Sequence, residues 1–269
     1  MKSYFYALVL ISLLTSCKSN TKPFANDDQG LAKKFSPPFR GVWVKKDYID
    51  MVLKTGSPSA ARNAAHDMTM MYLSADSIKG DSIVVPAIVQ NRYPSRLVLK
   101  FKLAKTDSVL SFANRIDLSY SIKKGDTVLA YTYYNDYFKK IVTTKFTRAL
   151  IKKPRGDLYY GMHYLINKEL VTGAYTFTDK SGTSRKITFT NDGKVTGFYH
   201  YYDYKIRFDF DSGPMSNLDE MELYSDPAHY IIYTFKIDSG ALTLYEVSPN
   251  TSSTILVKGK IACKLTRAK

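Results

Sequence analysis

The chain has 269 residues, of which 45% are hydrophobic, and carries 39 Lys and Arg against 24 Asp and Glu, a formal net charge of +15. That length and apolar content can build large buried cores in one domain or two, while the basic excess is spread over every segment without a nucleic-acid-binding motif, so it reads as a solvated basic surface, or as attraction to anionic lipid, lipopolysaccharide or acidic glycan, and not as nucleic-acid binding. Among 4 His there is no pair at helical metal-binding spacing, and Gly-x-Ser-x-Gly is absent, which argues against a zinc hydrolase or a serine esterase.

Residues 1–17, MKSYFYALVLISLLTSC, place Lys2 before an apolar run from Tyr4 to Leu14 and end on small residues and a cysteine, the pattern of an export signal. The run is shorter than the roughly 20 residues a membrane-spanning helix needs. Leu14-Thr15-Ser16-Cys17 resembles the bacterial lipobox, with an ordinary secretory cleavage site as the alternative. The resemblance implies a signal peptide cut before Cys17 and acylation of that cysteine by diacylglycerol and a further chain such as palmitate. Lys18 follows where inner-membrane retention would call for Asp, which implies lipid anchoring in the cell outer membrane, facing the periplasm or the cell surface. With Cys17 given to lipid, Cys263 has no disulfide partner, and in KIACKLTR it reads as a small buried hydrophobe.

Residues 18–38, KSNTKPFANDDQGLAKKFSPP, are polar and broken by Pro and Gly, and read as a tether. A first folded unit is expected over 39–150, opening on Phe39-Arg40-Gly41-Val42-Trp43. Between Trp43 and Met68 the Ala-, Leu- and Lys-rich segment interrupted by Gly56 predicts two short helices, the second capped by Ser57 with Pro58 in its first turn. Strands are expected near Met68–Ser74, Ser82–Gln90, Arg96–Leu103, Arg115–Ile122, Thr127–Tyr134 and Lys140–Ala149, with turns at Lys79-Gly80-Asp81 and Lys124-Gly125-Asp126. Four Asp-Ser/Thr-apolar triplets, with hydroxyls at Ser77, Ser82, Ser108 and Thr127, fall near those turns. They resemble an O-glycosylation acceptor of exported bacterial proteins, and they equally fit a turn leading into a strand.

Residues 151–169 read as a linker with a short helix capped by Asp157, and Lys139 to Arg155 holds seven cations and no acid. A second unit is expected over 170–269. Its alternating YTFTDKSGTSRKITFTNDGKVTGFYHYYDYKIRFDF predicts strands joined by an Asn191-Asp192-Gly193 hairpin turn, followed by strands near Met221–Tyr224, His229–Ile237, Leu242–Val247 and Ile255–Leu265. Each unit carries its own start and end, so the two are expected to fold separately.

The starts and ends of the units match. Gly41-Val42-Trp43 parallels Gly173-Ala174-Tyr175, and Lys145-Phe146-Thr147-Arg148 parallels Lys264-Leu265-Thr266-Arg267. Gly-x-Trp on a first strand with Arg on the last resembles the lipocalins, within the calycin group. The resemblance implies an all-β fold of two tandem lipocalin-like antiparallel β-barrels with short helices. It further implies that Arg148 closes one barrel over Trp43 and Arg267 the other over Tyr175, since a guanidinium can stack on a ring and bond nearby carbonyls. The family's Thr-Asp-Tyr segment is not found at its usual place.

Two clusters stand out among 22 Tyr. On strands, Tyr131 with Tyr133, and Tyr199 with Tyr201, would each share a face, and such rings with hydroxyls suit sugars or amphiphiles or serve as ordinary wall residues. Asp209 with Asp211, and Glu220 with Glu222, are the carboxylate pairs at same-face spacing, but they flank turn-like sequence where acids are solvated. No calcium-loop spacing occurs there, and no metal or cofactor is expected. The expectation is therefore a non-enzymatic outer-membrane lipoprotein that binds a small amphiphilic, lipidic or glycan ligand or serves as an envelope interaction module. Its other partner is the membrane, through the lipid anchor, and the sequence assigns no oligomeric state. A hydrolase or isomerase acting on envelope glycan or lipid through paired carboxylates is the alternative.

Overall fold

The computed structural model describes residues 37–102, 109–113, 115–123, 125–152, 157–179, 181–210, 214–238 and 240–268. Cys17, Ser108 and Asp211 lie outside them. The first sheet comprises β1 (Gly41–Lys45), β2 (Met68–Leu73), β3 (Ile78–Lys79), β4 (Ser82–Val89), β5 (Tyr93–Lys102), β6 (Val109–Phe112), β7 (Ile116–Lys123), β8 (Asp126–Asn135) and β9 (Lys140–Leu150). Neighbours pair antiparallel in the order β2-β1-β9-β8-β7-β6-β5-β4-β3, and β2 also pairs with β4, which closes eight of the strands into a barrel with β3 as an appendage. The second sheet comprises β10 (Gly173–Thr178), β11 (Ser184–Phe189), β12 (Val195–Thr196), β13 (Asp203–Ile206), β14 (Glu220–Tyr224), β15 (Tyr230–Asp238), β16 (Ala241–Pro249) and β17 (Leu256–Arg267), in the order β12-β11-β10-β17-β16-β15-β14-β13. Its two ends approach through an isolated Lys194–Asp203 bridge and the Val195 N–H to Tyr202 carbonyl bond of 2.9 Å, so this barrel is nearly closed. Two antiparallel barrels of this kind are consistent with a calycin-like architecture.

Alternation explains most of the strand positions, and three places depart from it. The strand β6, VLSF, is too short for a period of two to register. The segment after Gly56 is a turn and a 3-10 turn at Arg62–Ala64 rather than a second helix, with Ser57 Oγ accepting the Ala60 N–H at 2.9 Å. Residues 197–202, expected as part of a strand, form a turn. Gly197 has φ +77° and a Cβ there would meet the Lys186 carbonyl at 2.1 Å, and Tyr199 is left-handed at φ +51°, so the chain turns before β13 begins.

Both barrels have a closed end built from the same parts. Trp43 and Arg148 are direct cross-strand partners, with the guanidinium carbon 4.7 Å from the ring centroid. Arg148 Nη2 donates to the Pro38 carbonyl at 2.5 Å, and Trp43 Nε1 donates to the Phe39 carbonyl at 2.7 Å. Tyr175 and Arg267 are likewise partners at 5.8 Å, Arg267 Nη2 donates to the Thr172 carbonyl, and the Tyr175 hydroxyl donates to the Val171 carbonyl at 2.8 Å. The preceding glycines make room. A Cβ on Gly41 would meet the Leu150 carbonyl at 2.4 Å and the Arg148 side chain at 3.3 Å, and one on Gly173 would meet the Arg267 guanidinium at 3.1 Å. Their φ values of +140° and +149° also disfavour any side chain.

Two helices join the barrels. The helix α1 (Lys46–Thr55) ends on left-handed Gly56, whose N–H bonds the Val52 carbonyl at 2.8 Å, and buries Tyr48, Ile49 and Val52. The second helix, α2 (Tyr160–Ile166), runs into a π turn at Asn167–Val171, and the Asp157 carboxylate accepts the Tyr159 N–H at 2.8 Å just ahead of it. Met162, Leu165 and Ile166 from α2 belong to one apolar cluster with Val42 and Val44 of β1, the buried face of α1, and the interior of the second barrel. Polar ties cross the same junction: Asn91 Nδ2 donates to the Phe208 carbonyl at 3.1 Å, and the Ser59 N–H donates to Asp219 Oδ1 at 2.7 Å. The units are thus packed on one another through a shared core.

Arg148 is half-buried and Arg267 exposed, and a desolvated cation–ring contact is worth about 2 kcal/mol against about 0.5–1 kcal/mol at the surface. Urea denaturation should therefore show Arg148→Ala losing about 2 kcal/mol or more and Arg267→Ala about 1 kcal/mol or less. Equal losses would remove the distinction between the two closures.

Candidate functional site

The barrel interiors are occupied by side chains. In the first, Trp43, Leu73, Ile83, Leu118, Leu129 and Phe146 are fully buried, and the hollow at the end away from Trp43 has a volume of about 140 Å³. Tyr131 and Tyr133 both line that hollow, side by side with centroids 5.5 Å apart, and burial pushes the Tyr131 hydroxyl up to about 12. It is smaller than the roughly 300–1,000 Å³ of a typical ligand site. In the second barrel Phe189 sits edge-on to both Tyr175 and Tyr204, at 5.6 and 5.1 Å, and Cys263 is buried, its thiol raised to about 12 by burial. A thiol so placed is inert.

Tyr199 and Tyr201 lie on the turn before β13, not on a shared strand face. Tyr199 is exposed, stacked near Phe198 at 5.4 Å, and Tyr201 packs against Phe198 at 5.9 Å. Ser77, Ser82 and Thr127 are half-buried at one end of the first barrel, in or beside the connections to β3, β4 and β8. Ser82 Oγ donates to Asp81 at 2.9 Å.

Larger concavities lie outside the barrels: one of about 580 Å³ lined by Ser59, Asn63, Asp219 and Lys236, and two in the crease where the units meet. The floor is the outer face of β13 and β14. Alternation sends Tyr204, Ile206, Met221 and Leu223 into the core and leaves Lys205, Glu222 and Tyr224 outside, with Lys205 paired across to Glu222. Arg207 and Glu220 continue that register, the Arg207 N–H bonding the Glu220 carbonyl at 3.0 Å. One wall is α2 and the turn before it; another is the β4–β5 turn, tied in by the Tyr159 hydroxyl donating to the Arg92 carbonyl at 2.5 Å. Two hollows result, of about 470 and 460 Å³, and His163 and Lys205 line both.

The first hollow holds the carboxylates. Glu220 accepts from Arg207 Nη1 at 2.9 Å and Asp209 from Arg207 Nε at 3.3 Å, while Glu222 accepts from the Tyr224 hydroxyl. Burial raises the Glu220 carboxyl above the ordinary range, against the opposing pull of Arg207, and Glu222 and Asp209 add to the rise. The pair Glu220 and Glu222, expected to be solvated, is therefore gathered into a cavity with Asp209.

The second hollow is framed by Tyr160, Tyr202, Tyr204 and Tyr224, the Asn191–Lys194 turn and Pro227. Asn167 reaches it from the π turn, with Nδ2 donating to the Asn191 carbonyl at 3.4 Å, and Lys194 lies 5.7 Å from the Tyr202 ring and 2.7 Å from Asp203. Among the described residues two atoms here have no hydrogen-bond partner although shielded from solvent, Asn167 Oδ1 and His163 Nδ1, while the His163 ring bonds the Ile206 backbone. His163 is wedged edge-on against Phe208 at 4.6 Å, and burial with the charge of Lys205 pulls its pKa down to about 4. Neutral at physiological pH, it offers a donor or an acceptor but no charge.

Among the described residues no group of three or more His, Cys, Asp or Glu is placed to hold a metal ion. Comparison with protein families, with characterised proteins and with solved structures yields no match.

His163 makes folding pH-dependent with a defined sign. Its folded pKa of about 4 lies below the unfolded value of 6.5, so the unfolded chain binds the proton first and stability falls as pH drops from 6.5 to 4. His163→Leu should abolish that part of the decline, on the order of 2–3 kcal/mol, in a comparison of melting curves at pH 7 and pH 4. Parallel pH profiles for the two chains would contradict a buried neutral imidazole.

Proposed function

We propose that this protein is a non-enzymatic outer-membrane lipoprotein whose lipocalin-like barrels act as a scaffold, and that its ligand is a small, neutral, polyhydroxylated molecule of the glycan class held in the inter-barrel crease. The observation that carries this reading is the hollow of about 460 Å³ framed by Tyr160, Tyr202 and Tyr224, with the Asn167 amide and the neutral imidazole of His163 among its lining. The volume falls within the usual range for small ligands. Tyrosine faces suit the apolar face of a sugar ring and their hydroxyls its edges. Charge supports a neutral ligand: the hollow's lining sets Lys194 and Lys205 against Asp192 and Asp203, with Lys194 paired to Asp203.

The competing reading, carboxylate hydrolysis of an envelope glycan, draws on Glu220, Glu222 and Asp209 in the adjoining hollow. Glu220 is engaged by Arg207, which suits a structural ion pair better than a free general acid. Titration of the protein with neutral mono- and disaccharides, followed by saturation-transfer NMR, separates the readings. Saturable binding that Tyr202→Ala weakens about tenfold, a loss of about 1.4 kcal/mol, is expected. Turnover abolished by Glu222→Gln would instead assign a hydrolase, and no response to any sugar would end the glycan reading.

The lipid anchor has its own test. Cys17→Ser should move the protein from the membrane fraction to the soluble fraction of its host, because acyl chains supply stable anchoring. A membrane pool of unchanged size with the signal still cleaved would exclude acylation at Cys17.

A further inference from the structure

We propose that the β8–β9 hairpin end is a finger that docks the protein on a bilayer carrying anionic lipid. At the tip Tyr137 is 86% exposed and Phe138 61%, and just behind them Ile141 is 70% exposed. Ile141 is the cross-strand partner of Tyr134, and Tyr131 and Tyr133 take the interior, so Tyr134 and Ile141 continue the aromatic tip along the outer face. The tip has a fixed shape. Asn135 Oδ1 accepts the N–H groups of both Tyr137 and Phe138 at 3.0 Å, and the two rings meet edge to face at 4.8 Å.

Cations surround these rings. Lys140 Nζ lies 5.2 Å from the Phe138 ring and the Arg115 guanidinium 5.3 Å from the Tyr134 ring, and Lys139 sits at the turn in a left-handed conformation, with Asp136 the acid of the tip. Exposed Tyr and Phe bracketed by Lys and Arg match the two demands of a bilayer interface. Amphipathic rings settle at headgroup depth, and each cation near an anionic surface contributes about 1 kcal/mol. A protein partner fits less well, since a convex hairpin end cannot supply the roughly 800 Å² per side of a stable interface.

The inference rests neither on the crease nor on acylation of Cys17, and its test removes the anchor. The chain from Lys18 to Lys269, which carries no acyl group, is mixed with vesicles of phosphatidylcholine alone or of phosphatidylcholine with phosphatidylglycerol, and the bound fraction is measured by sedimentation. Binding to the anionic vesicles that weakens as salt is raised is expected, with Tyr137→Ser/Phe138→Ser lowering the partition coefficient about tenfold and Lys139→Gln/Lys140→Gln flattening the salt dependence. Circular dichroism of each variant should match the parent. The proposal is overturned if the parent binds neither vesicle, or if the aromatic double variant binds as the parent does. Self-association of the parent that this double variant abolishes, without vesicle binding, would assign the finger to a second copy of the chain instead.

Discussion

The first and last strands of each barrel meet in one contact, an arginine laid over an aromatic ring at the closed end. The arrangement is a set of mutual requirements. Gly41 must lack a side chain for Arg148 to pass beside β1, and the ring of Trp43 fills the space beneath the guanidinium. The guanidinium then reaches the Pro38 carbonyl and the indole N–H the Phe39 carbonyl, so the segment leading into β1 is tied down by the residues that close the barrel. Gly173, Tyr175 and Arg267 repeat the scheme with Thr172 and Val171 as acceptors. The first closure is more buried, and it leaves Arg148 Nε unpaired, with desolvation lowering the pKa of the guanidinium. Among the described residues, the ring contact and the carbonyl bond are what offset that cost.

Filling the barrels has a functional consequence. Side chains as large as Trp43, Phe146 and Phe189 occupy the volume that a ligand cup would need, so the proposed recognition site lies on the outer surface. An antiparallel strand with one face in a core presents its other face as a row of polar groups. In β13 and β14 that row is covered by α2 and the β4–β5 turn instead of open water, so charges that would be solvated become partly buried and interact. Glu220 is raised and His163 lowered by the same desolvation, each favouring its neutral form.

Much of the fold was legible because it is written locally. Alternation marks β4, β8 and β16, and glycines at left-handed positions mark the hairpin turns, as with Gly193 at φ +86°, where the Thr190 N–H meets the Lys194 carbonyl at 2.9 Å. The closing pairs were legible because the same short motif occurs twice. The Tyr199–Tyr202 segment misleads, since aromatic residues on a tight turn and on a strand look alike until Gly197 meets the Lys186 carbonyl. The crease was legible only in fragments: Asp209, Glu220 and Glu222 stand out in the sequence as spaced carboxylates, but nothing local shows that they share a cavity. Its lining runs from Asn91 to Ile232, and no local pattern ties the β4–β5 turn to a helix and two strands of another unit. A further signal was His163 in YGMHYLI, a titratable residue beside the apolar face of a short helix.

The junction also explains why the crease can be a preformed site. In β1 every residue is buried: Trp43 inside the barrel, and Val42 and Val44 outside it under the helices, while Lys45 buries its stem and donates to the His66 carbonyl at 2.9 Å. A strand covered on both faces cannot shift without disturbing two cores. Because α2 shares the outer core with α1 and then runs through the π turn into β10, the helix that carries His163 is held from the first barrel and the second at once. The Asn91 and Asp219 bonds fix the remaining rotation between the units. A site walled by two packed bodies has little ordering cost on binding, which is what the small polar ligand we propose, with few contacts of its own, would need.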